Sequence, residues 1–105
     1  MYIQYDEFDL LELFLKEPIS ISGDINSGEL IYSYRNVDSF EIVLTMDVYR
    51  QECSLSITYK DATIFTEDLK NVTSIIKKET ELFIYLDKDP KLKVKFLNQV
   101  GVELL

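Results

Sequence analysis

Asp6, Glu7, Asp9 and Glu12 bring four carboxylates into one short stretch, the residue type that paired general acid/base catalysis requires. Acids at the start of a helix also cap its free N–H groups and meet the positive end of its dipole, and that is how we read these. Asp24-Ile25-Asn26-Ser27-Gly28-Glu29 opens like a calcium loop. It then has glycine where the fifth ligand belongs and glutamate where the turn needs glycine, so it reads as a turn. Asp87 to Pro90 reads as another turn. Cys53 opens an alternating segment on the core-facing register, as a buried structural thiol would.

The composition excludes several chemistries outright. There is no histidine and one cysteine, so Ser-His-Asp and Cys-His nucleophilic sites, histidine-ligated zinc and multi-cysteine clusters cannot be built. Gly23, Gly28 and Gly101 stand too far apart for a phosphate-binding loop. No catalytic, metal-binding or cofactor-binding residue is assigned, and the chain is expected not to be an enzyme.

Charge is the more informative signal. Residues 1–50 hold ten acids against Lys16, Arg35 and Arg50, a net −7, whereas residues 51–105 net −1 of the total −8. A one-signed surface keeps a protein soluble, and it also steers basic partners. Tyr2, Tyr5, Tyr32 and Tyr34 lie among these acids, and tyrosine is enriched in interface cores. The balance argues against nucleic acid, which needs clustered Lys and Arg. Lys91, Lys93 and Lys95 form a basic stripe that reads as the protected face of an exposed or edge strand. The stripe meeting the acidic helix of a second copy would give a homodimer.

The elements that must position these residues follow from periodicity. The 24 β-branched residues and single alanine favour sheet. One helix is predicted from Asp6 to Glu17, capped by Asp6 and stopped by Pro18. Its apolar arc holds Phe8, Leu10, Leu11, Phe14 and Leu15, with Leu13 on the polar side. From Ile19 onward the period is two: Leu30, Tyr32 and Tyr34; Phe40, Ile42, Leu44, Met46 and Val48; Cys53, Leu55, Ile57 and Tyr59; Leu82, Ile84 and Leu86; Leu92, Val94 and Phe96. Residues 66–78 fit both periods, and the β-branched run from Val72 to Ile76 favours strand. The expected fold is a single α+β domain over residues 1–105, an antiparallel meandering sheet of about seven or eight strands with one short N-terminal helix. Without a basic, apolar leader or a run of ~18 apolar residues, a cytoplasmic location away from membranes is expected.

The succession of a short helix with Ser39-Phe40-Glu41-Ile42-Val43-Leu44, then Thr63 to Val72, then Leu92-Lys93-Val94-Lys95-Phe96, resembles the small immunity proteins of bacterial polymorphic-toxin systems. The resemblance implies a cytoplasmic, non-enzymatic protein that covers the active face of a toxin, often a basic nuclease. The reading is therefore an acidic protein-binding domain for a basic protein partner. Asp9, Glu12, Leu13, Glu17, Asp24, Glu29, Tyr32 and Tyr34 are its expected contact residues. A structural subunit that self-assembles through sheet edges, or a small-ligand-binding domain, are the alternatives.

Overall fold

Asp6 starts the helix as expected, its carboxylate accepting from the backbone N–H of Phe8 at 2.8 Å and of Asp9 at 3.2 Å. In the computed structural model, which describes residues 2–96 and 100–105 and only the backbone of Ile25, α1 spans Glu7–Phe14. It stops short of the predicted Glu17. Leu15 takes a left-handed φ of 61°, and its N–H closes on the Leu11 carbonyl at 2.8 Å, ending the helix ahead of Pro18. The early stop also rotates the buried face. Leu10, Leu13 and Phe14 are the buried stripe, whereas Phe8 and Leu15 are 75% and 65% exposed. Leu13, expected on the polar side and at an interface, is a core residue.

Nine strands follow among the described residues, against the seven or eight expected: β1 Ile19–Ser20, β2 Glu29–Arg35, β3 Phe40–Asp47, β4 Glu52–Tyr59, β5 Ala62–Leu69, β6 Val72–Lys78, β7 Glu81–Leu86, β8 Asp89–Lys95 and β9 Gly101–Leu104. Every neighbouring pair is antiparallel and consecutive, so the meander is as expected. It is broken once, into a five-stranded sheet (β1 to β5) and a four-stranded sheet (β6 to β9). Residues 72–78 are strand, as their β-branched run requires. The predicted turn through Pro90 closes earlier: Asp87 and Lys88 make it, and Asp89 and Pro90 already belong to β8. Pro90 sits where the β7–β8 register shifts, so its missing N–H interrupts no regular ladder.

The break falls between Leu69 and Val72, where Asn71 takes a left-handed φ of 60°. The N-terminal segment then takes the place a fifth neighbour would occupy. Gln4 forms a parallel bridge with Ser74 of β6, its N–H donating to Thr73 at 3.0 Å and its carbonyl accepting from Ile75 at 2.9 Å. One residue earlier, the N–H of Ile3 donates to Val48 at the end of the first sheet at 2.9 Å. Ile3, fully buried, thus ties both sheets together.

The inward residues of both sheets and of α1 form one hydrophobic cluster. Phe14 is its joint, with its ring 5.2 Å from Tyr32 of β2 and 5.0 Å edge-on from Phe96 after β8. Tyr34 meets Phe96 at 5.5 Å. Tyr32 and Tyr34, expected at an interface, are buried at 2% and 8% exposure, because their alternation with Leu30 points all three inward.

Candidate functional site

The expected contact residues separate into five places. Leu13 and Tyr34 are in the core. Glu12 is consumed within the fold: its carboxylate lies 2.7 Å from the ammonium of Lys77 on β6, and Asp9 adds to the field that, after that hydrogen bond, raises the Lys77 pKa. Asp24 caps the short 3-10 turn Ile25–Ser27, accepting from the N–H of Asn26 at 3.0 Å. Glu29 lies on the outer face of the five-stranded sheet. Only Glu17 and Tyr32 come together.

They meet in a cleft of about 190 Å³ between α1 and β2, lined by Tyr5, Glu7, Phe8, Leu11, Glu17, Pro18, Asn26, Leu30 and Tyr32. The early end of α1 builds it. The chain leaves Leu15 in a new direction, and Glu17 and Pro18 line the same cleft as Glu7 and Phe8 of the helix start. Tyr32 spans core and cleft, its ring against Phe14 and its side chain reaching the cleft. Burial raises its phenol pKa well above the ordinary value, and Tyr5, Glu7 and Glu17 add to the rise. Tyr5 is raised for the same reasons: burial first, then Glu7 and Tyr49. Among the described residues no cation lies within 4.0 Å of Glu7 or Glu17.

Tyr5 and Glu7 also border a second, more open hollow of about 450 Å³ that includes Tyr2, Val48 and Tyr49. Gly28 fixes this wall. Its φ is 83°, and a Cβ there would fall 2.8 Å from the ring of Tyr49. Tyr2, Phe8 and Tyr49 are all more than half exposed. The two hollows form one acidic, aromatic face. Sequence reasoning missed Phe8 and Glu7 there, because a helical stripe claims Phe8 for the core and a capping position claims Glu7.

A third hollow, of about 350 Å³, lies on the first sheet and includes Ile21, Glu29, Asp47, Glu52, Asp68 and Leu69. Glu29, Asp47 and Glu52 stand directly opposite one another across β2, β3 and β4. Beneath it Cys53 is buried, and burial pushes its thiol up to about 12, Asp68 adding to the effect. Such a thiol is protonated and unreactive at neutral pH. The lysine stripe is not an edge: β8 lies between β7 and β9, and Lys93 and Lys95 are paired with Glu81 and Glu103. Among the described residues no group of three or more Asp, Glu, Cys or His is placed to hold a metal ion. No helix among them is long and apolar enough to cross a membrane.

No protein-family model matches this sequence, and no curated protein matches it. One solved structure does match the fold, a contact-dependent growth inhibition toxin–immunity protein complex from Klebsiella pneumoniae 342. A chain of that complex superimposes with a TM-score of 0.77 over 98% of this chain and 96% of its own length, at 15% sequence identity. The likeness thus extends from end to end of both chains.

Proposed function

We propose that the chain is an immunity protein, a non-catalytic inhibitor that binds and covers a basic toxin domain. The observation that carries the reading is the end-to-end likeness to a chain of a toxin–immunity complex. What assigns this chain to the inhibiting side is its chemistry. It has a net charge of −8 and no histidine, and it presents an acidic, tyrosine-rich face around α1 and β2. Exposed tyrosine and phenylalanine give contact area with little side-chain entropy to lose, and the acids steer and hold a cationic surface. The protein works as one domain in the cytoplasm, where such an inhibitor meets its toxin.

Co-expression with candidate toxin domains from its own genome tests this. The expected result is restored growth together with a stoichiometric complex whose association slows as salt rises. Growth arrest by this chain expressed alone would place it on the toxin side instead. Failure to neutralise any such domain would remove the reading.

The free edge of β5 supports a second reading, self-association. Its eight residues pair with β4 on one side only. Glu67, Asp68 and Lys70 put charge on or beside that edge, which disfavours pairing with an identical copy. Light scattering that shows a monomer at all concentrations would dismiss it.

A further inference from the structure

We propose that the cleft between α1 and β2 is a receptor for one arginine side chain of the partner protein. The inference rests on the protein-binding reading above and adds the group that is captured. The key observation is Tyr32. It is 2% exposed and lines the cleft; no side-chain hydrogen bond among the described residues engages its hydroxyl, and since none of their fully buried side-chain oxygens lacks a partner, that hydroxyl is open to the cleft. A phenol oxygen open to a cavity, with no partner inside the protein, is free to bond water or a group supplied from outside.

The surroundings define that group. Glu7 and Glu17 bring two carboxylates to the same cavity as the Tyr32 phenol. Burial and those neighbours keep the phenol neutral, so its oxygen retains lone pairs to accept from a cation. Two carboxylates and one phenol oxygen make several acceptor sites converging on about 190 Å³, room for one long side chain. A guanidinium offers five N–H donors in a plane, against three for an ammonium. Its flat face also stacks on aromatic rings, and Tyr5 and Phe8 line the same walls. Leu11 and Pro18 provide apolar surface for the three-carbon stem.

The probes are three short peptides, uncharged except at one central residue that is arginine, lysine or citrulline. They are titrated into the intact protein, and binding is followed by NMR of the Tyr32 ring and the α1 backbone. The arginine peptide should bind saturably at these resonances. Lysine should bind about ten-fold more weakly, and citrulline, which keeps the shape and loses the charge, should not bind. The Tyr32→Phe variant keeps the ring against Phe14, so it should fold while losing several-fold in arginine affinity. Glu7→Gln with Glu17→Gln should lose about ten-fold or more, and Glu81→Gln on the opposite sheet should lose nothing.

Equal binding of citrulline and arginine, shifts confined to the outer face of the first sheet, or unchanged affinity in Tyr32→Phe and the double variant would each overturn the proposal. The two levels remain separable. A toxin neutralised equally well by wild type and the double variant removes the arginine cleft and leaves the immunity role. Arginine-peptide binding without neutralisation of any toxin does the reverse.

Discussion

On the four-stranded sheet, Lys93 lies 3.3 Å from Glu81 and 3.6 Å from Glu103, and Lys95 lies 2.9 Å from Glu103. These residues alternate in sign across β7, β8 and β9, so each charge finds its opposite on the next strand. On the five-stranded sheet the register aligns Glu29, Asp47 and Glu52, like charges directly opposite, with Arg50 3.8 Å from Asp47 as their nearest relief. Cross-strand pairs of opposite sign stabilise a sheet and pairs of like sign weaken it. The four-stranded sheet thus pairs its acids with lysines, and the five-stranded sheet keeps an acidic surplus along this row. Net charge alone did not reveal this division of labour; strand register does.

The largest effect is expected where the two regions join. Phe14→Ala removes the ring that touches Tyr32 on one side and Phe96 on the other. Truncating a fully buried aromatic costs about 3–5 kcal/mol, a large share of the stability of a domain this size. Urea denaturation should show one transition with a much lower midpoint and an unchanged slope. Two separate transitions would mean that the sheets are independently stable and that the ring only docks them.

Alkaline pH should produce the next effect, seated in the first sheet. Burial raises the Cys53 thiol from 9.0 to about 12 and raises Tyr32 as well. The unfolded thiol releases its proton near its ordinary value while the folded one retains it. The stabilisation is therefore complete below about pH 9 and is lost as pH climbs toward about 12, roughly 2–3 kcal/mol being gone by pH 11. Cys53→Ala should flatten that limb in thermal melts between pH 8 and 11, leaving a smaller slope from Tyr32. Acid acts on the other sheet. The hydrogen bond from Lys95, then the charges of Lys93 and Lys95, lower the Glu103 carboxyl. Its contribution is present above the ordinary 4.5 and lost as pH falls below it, so Glu103→Gln should soften the acid limb.

β2, β3 and β4 are legible in the sequence because each has one wet face, whereas β5, exposed at six of its eight positions, shows no such alternation. Ile42, Leu44 and Met46 alternate with polar residues and are each fully buried. The same alternation ran through Leu30, Tyr32 and Tyr34, and it outweighs the tendency of tyrosine to sit at interfaces. The face of α1 was not legible. An eight-residue helix is too short for periodicity to fix its rotation, and its end at Leu15 and its docking through Ile3 and Gln4 depend on tertiary contacts. The cleft inherits that difficulty. Charge and residue type point to Glu17 and Tyr32, but helical spacing claims Phe8 for the core, and the meeting of Glu7 with Glu17 depends on where the helix stops. The division into two sheets was likewise hidden, since the Asn71 turn breaks the meander with no glycine or proline to mark it.

The smallest expected effect tests the contrast between the sheets most directly. Glu52 stands opposite Asp47 and next to the Arg50 turn, so Glu52→Lys replaces a repulsive cross-strand pair with an attractive one. The expected gain is about 0.5–1 kcal/mol, shrinking as salt screens both the old repulsion and the new attraction. The mirror change, Lys93→Glu, sets a third carboxylate between Glu81 and Glu103 and should lower the melting temperature. If Glu52→Lys leaves stability unchanged at low salt, the aligned acids are not repelling one another and the first sheet holds no surplus. If it stabilises the protein while weakening capture of a basic partner, then the repulsion stored in that row is part of what makes the partner's charge welcome.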